Sequence, residues 1–152
     1  MLAEFLVAKA VGDAAPLRVG WNNFDVLTPE GVRIEVKSSA YLQSWAQKRL
    51  STIRFDRLTG LSWDPREAES AEREIRADLF VFAVQTCKDP ALYDALDIGQ
   101  WDFYVARAEA IEANGARSVG LAFLKRDAIG PATWFELNDA VGKACRGDTG
   151  AA

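Results

Sequence analysis

Two short apolar runs joined by a turn sequence, residues 24–28 and 32–36, most constrain how this chain can fold. In each run apolar residues alternate with polar ones, a period of two that is typical of half-buried β-strands. Pro29-Glu30-Gly31 lies between the runs and suits a short loop with Gly31 in the left-handed conformation. The sequence therefore predicts a β-hairpin with one face in the core.

The same alternation predicts the register of this hairpin. Pairing Thr28 with Val32 keeps the apolar residues of both runs on the core face and sets Asp25 directly opposite Glu35, with Lys37 on the same face. A slip of one residue would set Asp25 against the apolar face, which register rules disfavour. Two carboxylates that face each other across a strand pair repel. A bound cation would relieve that repulsion.

The predicted arrangement of charges suits a divalent metal beside a phosphate. Mg²⁺ prefers one or two carboxylates, several waters and a phosphate oxygen. Asp25 and Glu35 would therefore hold Mg²⁺ or Mn²⁺, with the backbone carbonyl of Val36 as a further ligand. The metal would stabilise charge on a scissile phosphate and lower the pKa of a bound water. Lys37 would orient the attacking water or stabilise the charge of the transition state.

Asp25, nine intervening residues and Glu35-x-Lys37 in apolar strands resemble the PD-(D/E)xK, or restriction-endonuclease-like, nuclease superfamily. The resemblance covers roughly residues 2–85, and Phe24 stands where the motif often has proline. It implies a restriction-endonuclease-like fold and a metal-dependent nuclease that hydrolyses DNA phosphodiester bonds.

The resemblance also implies two further site residues. In that superfamily a helix before the hairpin often carries an acidic residue that faces the site, and Glu4 is that residue here. A glutamine shortly after the lysine recurs in RecB-like branches, and Gln43 is the matching residue, although its spacing is loose. We expect Glu4 to complete the acidic pocket and Gln43 to bond a water or a phosphate.

Two other functional interpretations stay open from the sequence. The same fold can serve as a catalytically inactive module that binds nucleic acid or protein. An unrelated α/β protein with a merely solvated Glu-Val-Lys face is also compatible, because short degenerate motifs occur by chance. If the chain is a nuclease, a homodimer or a partner protein would help so small an acidic chain to hold DNA.

The rest of the chain predicts one α/β domain over residues 1–146. A continuous apolar run at residues 78–85 predicts a strand buried on both faces. Further strands are expected near 51–56, 101–105 and 118–124, and helices at 1–12, 65–76, 106–114 and 137–145. The elements predict a mixed central sheet of five or six strands flanked by helices, followed by a flexible tail at 147–152. The first helix has no room for an N-cap, so we expect the natural reading frame to begin upstream or the first turn to fray.

Composition narrows the chemistry and the setting. The net charge of −4 argues against a protein that binds nucleic acid with a surface that is basic all over. Basic residues nevertheless gather between positions 33 and 57: Arg33, Lys37, Lys48, Arg49, Arg54 and Arg57. This cluster predicts either a phosphate-binding surface or a solvated face. Trp45 in the same stretch would either stack on a base or simply pack.

The residue types that are missing exclude some reactions. The chain has no histidine, which excludes Ser-His triads and zinc chemistry, and its two cysteines form no metal-binding spacing. It shows neither a signal peptide nor an apolar run of membrane-spanning length, so a cytoplasmic location without membrane contact is expected.

Overall fold

The computed structural model describes residues 2–13, 24–58 and 77–148. The elements in chain order are α1 (Leu2–Val11), β1 (Val26–Leu27), β2 (Arg33–Ala40), β3 (Arg54–Phe55), β4 (Leu79–Gln85), β5 (Trp101–Arg107), α2 (Ala108–Asn114), β6 (Val119–Gly120), α3 (Leu121–Asp127), β7 (Ile129–Ala132) and α4 (Leu137–Cys145), with 3-10 turns at Ile98–Gln100 and Trp134–Glu136. The helix predicted at 65–76 and the tail residues 149–152 lie outside the described residues. The first two residues of the predicted tail, Gly147 and Asp148, donate backbone hydrogen bonds to the carbonyls of Ala144 and Lys143.

A mixed five-stranded sheet forms the centre of the fold, in the order β1-β2-β4-β5-β7. β2 and β4 run parallel, and the other neighbouring pairs are antiparallel. All seven residues of β4 are buried, because this apolar strand lies in the middle of the sheet with a layer on each face. The predicted mixed α/β sheet with helices on both faces is therefore confirmed.

The two faces of the sheet carry different layers. Val81 and Phe103 lie on the face that α1 and α4 cover, which we call the α1 face. Phe80 and Phe82 lie on the opposite face, which we call the β3 face, because β3, β6, α2 and α3 pack there. Side chains of successive strand residues point to opposite faces, so each strand contributes to both layers. No helix in the described ranges is long and apolar enough to cross a bilayer.

The hairpin has the predicted register in its paired residues, whereas Asp25, expected opposite Glu35, donates its backbone N–H to the Ile34 carbonyl. The Thr28 N–H donates to the Val32 carbonyl at 3.0 Å, and Val26 pairs with Ile34. The loop closes through a bond from the Gly31 N–H to the Thr28 carbonyl, with Gly31 at φ 86°. The apolar alternation and the turn residues therefore agree on one pairing.

The strand predicted at 118–124 is wrong for most of its length. Only Val119–Gly120 is a strand, and α3 begins at Leu121. Phe123 and Leu124 are both buried on the β3 face, and Lys125 and Arg126 occupy the last turn, where cations favour a helix.

Two further strands differ from the expected sheet. Ile129–Ala132 forms β7, which the sequence did not predict because it contains glycine and proline; as an edge strand it tolerates the missing proline N–H. The strand expected near 51–56 is the short β3, and it pairs with β6 in a separate two-stranded sheet rather than in the main one.

Candidate active site

Asp25 directly precedes β1 and lies beside the first half of β2. Its backbone N–H donates to the Ile34 carbonyl at 2.9 Å, and its Oδ2 accepts a hydrogen bond from the Val36 N–H at 2.8 Å. The aspartate therefore contacts the residues on both sides of Glu35. The hairpin register brings the two predicted metal ligands together at the edge of β2.

Val36 presents its backbone to the same edge. In an extended strand the N–H and the carbonyl of one residue point to the same side. Because the Val36 N–H bonds to Asp25, the Val36 carbonyl also points towards the β1 side of the sheet. Its orientation is compatible with the predicted role as an oxygen ligand, which stays a prediction.

Glu35 and Lys37 lie on the β3 face, next to Phe80 and Phe82 of the parallel neighbour β4. Their side chains are only 18% and 22% exposed, and Lys37 Nζ lies 2.9 Å from Glu35 Oε1. The predicted common orientation of these two residues is confirmed. In the structure the lysine is the cation that neutralises Glu35.

Several charges act on the Glu35 carboxyl. Burial raises its pKa above the ordinary value, and the negative charges of Asp25 and Glu4 raise the pKa further. The hydrogen bond and the charge of Lys37 act in the opposite direction. Glu4, on α1, is therefore near enough for its charge to affect Glu35. An additional cation next to this carboxyl would therefore stabilise its ionised form.

The donor set of the site fits a hard divalent cation. Two carboxylates and a carbonyl are the oxygen ligands that Mg²⁺ accepts, with water and phosphate completing its shell. In residues 2–13, 24–58 and 77–148, no three Asp, Glu or Cys side chains are grouped so that they could hold a metal ion. That Asp25, Glu35 and Val36 hold a metal, with Glu4 completing the acidic pocket, stays a prediction.

Gln43 lies beyond the end of β2. Its side-chain amide donates to the Ala40 carbonyl at 3.1 Å, and its backbone N–H donates to Gln47 Oε1 at 2.8 Å. Both bonds stabilise the loop that follows β2. A contact of Gln43 with water or phosphate stays a prediction.

Five of the six residues of the basic cluster divide into two groups. Arg33, Lys37 and Arg54 form ion pairs with Asp78, Glu35 and Asp56, respectively. Lys48 and Arg49 instead line a groove of about 640 Å³ together with Trp45, which is 65% exposed. The ion-paired residues support the fold and the site, whereas the second group forms a basic surface.

Sequence reasoning missed residues on both sides of β4. Asp78 accepts hydrogen bonds from the Arg33 N–H and side chain, so the Arg33 guanidinium lowers the pKa of the Asp78 carboxyl and ties the start of β4 to β2. Lys88 and Tyr93, after β4, line the basic groove. A parallel pairing of β2 and β4 was the missing signal, because it places the loops after both strands at one edge of the sheet.

No known family model matches this chain, and no curated protein is significantly similar to it. The residues and their geometry are therefore the basis for assigning a function.

Proposed function

We propose that this protein is a metal-dependent nuclease with a restriction-endonuclease-like fold, which hydrolyses DNA phosphodiester bonds at the β1–β2 hairpin. The observation that carries the proposal is the 2.8 Å bond from the Val36 N–H to Asp25, which holds one carboxylate against the half-buried Glu35–Lys37 pair. Two carboxylates and a lysine at one strand edge can hold a metal ion and stabilise the charge that develops in phosphodiester hydrolysis.

Each residue has a distinct role in this proposal. Asp25 and Glu35, with the Val36 carbonyl, hold Mg²⁺ or Mn²⁺, which when bound supplies Lewis-acid stabilisation of phosphate charge and activates water. Lys37, which donates to Glu35 in the structure, donates instead to the phosphate or the attacking water during the reaction. Glu4 adds negative charge that attracts the cation, and Gln43 bonds a water or a phosphate.

The architecture supports the finer fold assignment. Helix α1 precedes the hairpin and packs beside it, the hairpin adds to a mixed sheet, and helices cover both faces. This arrangement agrees with the resemblance of residues 2–85 to the restriction-endonuclease-like superfamily.

The second candidate is a binding module of the same fold without catalysis. The Glu35–Lys37 ion pair at 2.9 Å favours it, because the pair satisfies a half-buried carboxylate without any metal. Calorimetric titration with Mn²⁺ separates the candidates. Binding that Glu35→Ala abolishes supports the enzyme, and absence of binding supports the module.

A plasmid assay tests the nuclease directly. Purified protein is incubated with supercoiled DNA and Mg²⁺ or Mn²⁺, beside Asp25→Asn and Lys37→Ala. We expect the wild type to cut and each variant to lose about 100-fold or more of the rate, because each loses a group that stabilises the transition state.

Matched controls are Asp139→Asn and Lys143→Ala on α4, which packs on the opposite face of the sheet. These variants should retain the wild-type rate. Absence of cleavage by the wild type with either metal, or undiminished cleavage by Lys37→Ala and Asp25→Asn, would contradict the proposal.

A further inference from the structure

The basic groove lies at the edge of the sheet where two parallel strands end. β2 and β4 are adjacent and parallel, and they end together at Ala40 and Gln85. The groove is lined by residues 42–50, which follow β2, and by Lys88, Pro90 and Tyr93, which follow β4. Crevices outside the carboxyl ends of parallel strands are where open α/β sheets bind ligands. A volume of about 640 Å³ is in the usual range for such sites.

The lining residues combine cations with exposed aromatic rings. Lys48, Arg49 and Lys88 line the groove, and among the described residues no carboxylate does. None of the three cations forms an ion pair with a carboxylate of the described ranges, and Lys88 Nζ instead lies 4.7 Å from the centroid of the Tyr41 ring. In a chain with a net charge of −4, this groove is a local concentration of positive charge.

Trp45 and Tyr93 are 65% and 44% exposed, although both are large aromatic residues. They line the same groove as the cations, one from each of the two loops. Rings in such a position offer flat apolar surfaces beside positive charge, which is the combination that proteins use to bind single strands of nucleic acid.

The acidic residues next to the groove are turned to their own loop. Asp89 Oδ1 accepts the Ala91 N–H at 2.9 Å, and Asp94 Oδ1 accepts the Leu96 N–H at 2.9 Å. These carboxylates cap turns of the loop after β4. Neither Asp89 nor Asp94 is among the residues that line the groove.

Both walls of the groove are braced by hydrogen bonds within the protein. The Gln47 amide donates to the Tyr41 carbonyl and to Ser51 Oγ across the first loop. The Gln100 amide donates to the Leu92 carbonyl across the second loop. A site held in shape before its ligand arrives loses less conformational freedom on binding.

From these observations we infer that the groove binds single-stranded DNA, with unpaired bases stacked on Trp45 and Tyr93 and phosphates contacted by Lys48, Arg49 and Lys88. Paired bases inside a duplex do not offer their faces to aromatic side chains, so the exposed rings favour an unpaired strand.

This inference rests on the proposed nuclease function, for which it names a substrate with an unpaired segment. Lys37 and Leu42 are separated by at most about 17 Å, at about 3.3 Å per strand residue. About five nucleotides cover that distance at the stacked spacing of about 3.4 Å each, and an extended unpaired strand needs fewer. One strand can therefore reach from the hairpin to the groove.

Fluorescence anisotropy in EDTA tests the inference with a labelled thymidine oligonucleotide of about 12 nucleotides, an abasic oligomer of equal length and a duplex. We expect the thymidine strand to bind at least about fivefold more tightly than the abasic one, because only the former can stack. Trp45→Ala should reduce this difference, because only Tyr93 is then left to stack on a base. Phe135→Ala, which changes a 76% exposed ring outside the groove, should preserve it.

The charge contribution is measured separately. Lys48→Ala combined with Arg49→Ala should lower the slope of log affinity against log salt concentration by about one to two. Equal binding of the thymidine and abasic strands, unchanged affinity in Trp45→Ala, or tighter binding of the duplex would overturn the inference.

The binding experiment is independent of turnover, because EDTA removes the metal that the nuclease needs. Base-dependent binding without any plasmid cleavage would remove the proposed nuclease function and leave the groove as a single-strand site. Plasmid cleavage together with base-independent binding would support the nuclease function and show that the groove does not bind unpaired bases of its substrate.

Discussion

At the scale of single residues, Glu35 is the position where stability and function oppose each other. Burial and the neighbouring charges of Asp25 and Glu4 raise its pKa, so the ionised form is less favourable in the folded chain than in the unfolded one. Groups that a functional site holds in such surroundings commonly lower the stability of the fold. Lys37 offsets only part of this effect, since the net shift of the Glu35 pKa is upward.

We therefore expect Glu35→Gln to raise the free energy of unfolding at pH 8 in metal-free buffer by about 1 kcal/mol. The folded carboxyl binds its proton more tightly than the unfolded one, so its unfavourable contribution is complete above the folded pKa. The contribution disappears as the pH falls below the unfolded value of about 4.3. The variant and the wild type should therefore converge near pH 4. Urea titrations at both pH values measure the difference.

The matched control is Glu112→Gln, at an exposed position on α2. It should change the free energy of unfolding little at either pH. A Glu35→Gln variant that is less stable than the wild type at pH 8 would show that the Lys37 ion pair outweighs burial.

At the scale of elements, the contact between β7 and β5 depends on a glycine. Gly130 has φ 146°, and a Cβ built on it would lie 2.6 Å from the Phe103 carbonyl oxygen and 2.9 Å from Tyr104 Cδ1. The β5–β7 register is irregular between Phe103 and Val105, at the same place. The edge strand therefore approaches its neighbour more closely than any side chain permits.

Gly130→Ala should lower the free energy of unfolding by about 3 kcal/mol, since it adds overlap with backbone atoms to an unfavourable φ. Gly115→Ala is the matched control: Gly115 ends α2 at φ 66°, but its Cβ would meet nothing closer than 4.0 Å. This control should lose only about 1 kcal/mol. Equal losses for both variants, measured as urea midpoints, would contradict the close approach of β7 to β5.

At the scale of the whole molecule, β4 connects both halves of the core. It has β2 on one side and β5 on the other, and its residues alternate between the α1 face and the β3 face. Opening β4 therefore exposes both layers at once, whereas β1 and β7 lie at the edges of the sheet.

Native-state hydrogen exchange should show the slowest amides in β4, with opening free energies near the value for global unfolding. The amides of β1 and β7 should exchange faster, since edge strands can open without disrupting both layers. Mass spectrometry after exchange and proteolysis measures this order. Slower exchange in β1 than in β4 would contradict the central position of β4.

Local patterns were sufficient for several parts of this molecule. The helix predicted at 137–145 is present with those bounds, and Gly31 has the predicted left-handed conformation. The alternation around Val26 and Ile34 predicted the hairpin register. In each case the signal is a short period or a turn residue, which operates between neighbours along the chain.

The wrong predictions concern segments whose secondary structure depends on contacts with distant parts of the chain. The segment 118–124 has apolar residues that suit a strand, yet packing on the β3 face makes it a helix from Leu121. Gly130 and Pro131 disfavour a strand locally, but the free edge of β5 pairs with Ile129 and Ala132 on either side of them. Tertiary contacts override local propensity when the burial of apolar surface contributes more free energy than the local preference does.

The candidate site follows from the local sequence, whereas the groove depends on the tertiary structure. The sequence by itself determined the hairpin register that brings Asp25 beside the strand of Glu35 and Lys37, because this register follows from alternation within 16 residues, 24–39. Only the tertiary structure decided that Lys88 and Tyr93 join Trp45 in one groove. That neighbourhood depends on the parallel pairing of β2 with β4, strands that lie far apart in sequence, and local periodicity does not encode which strands pair.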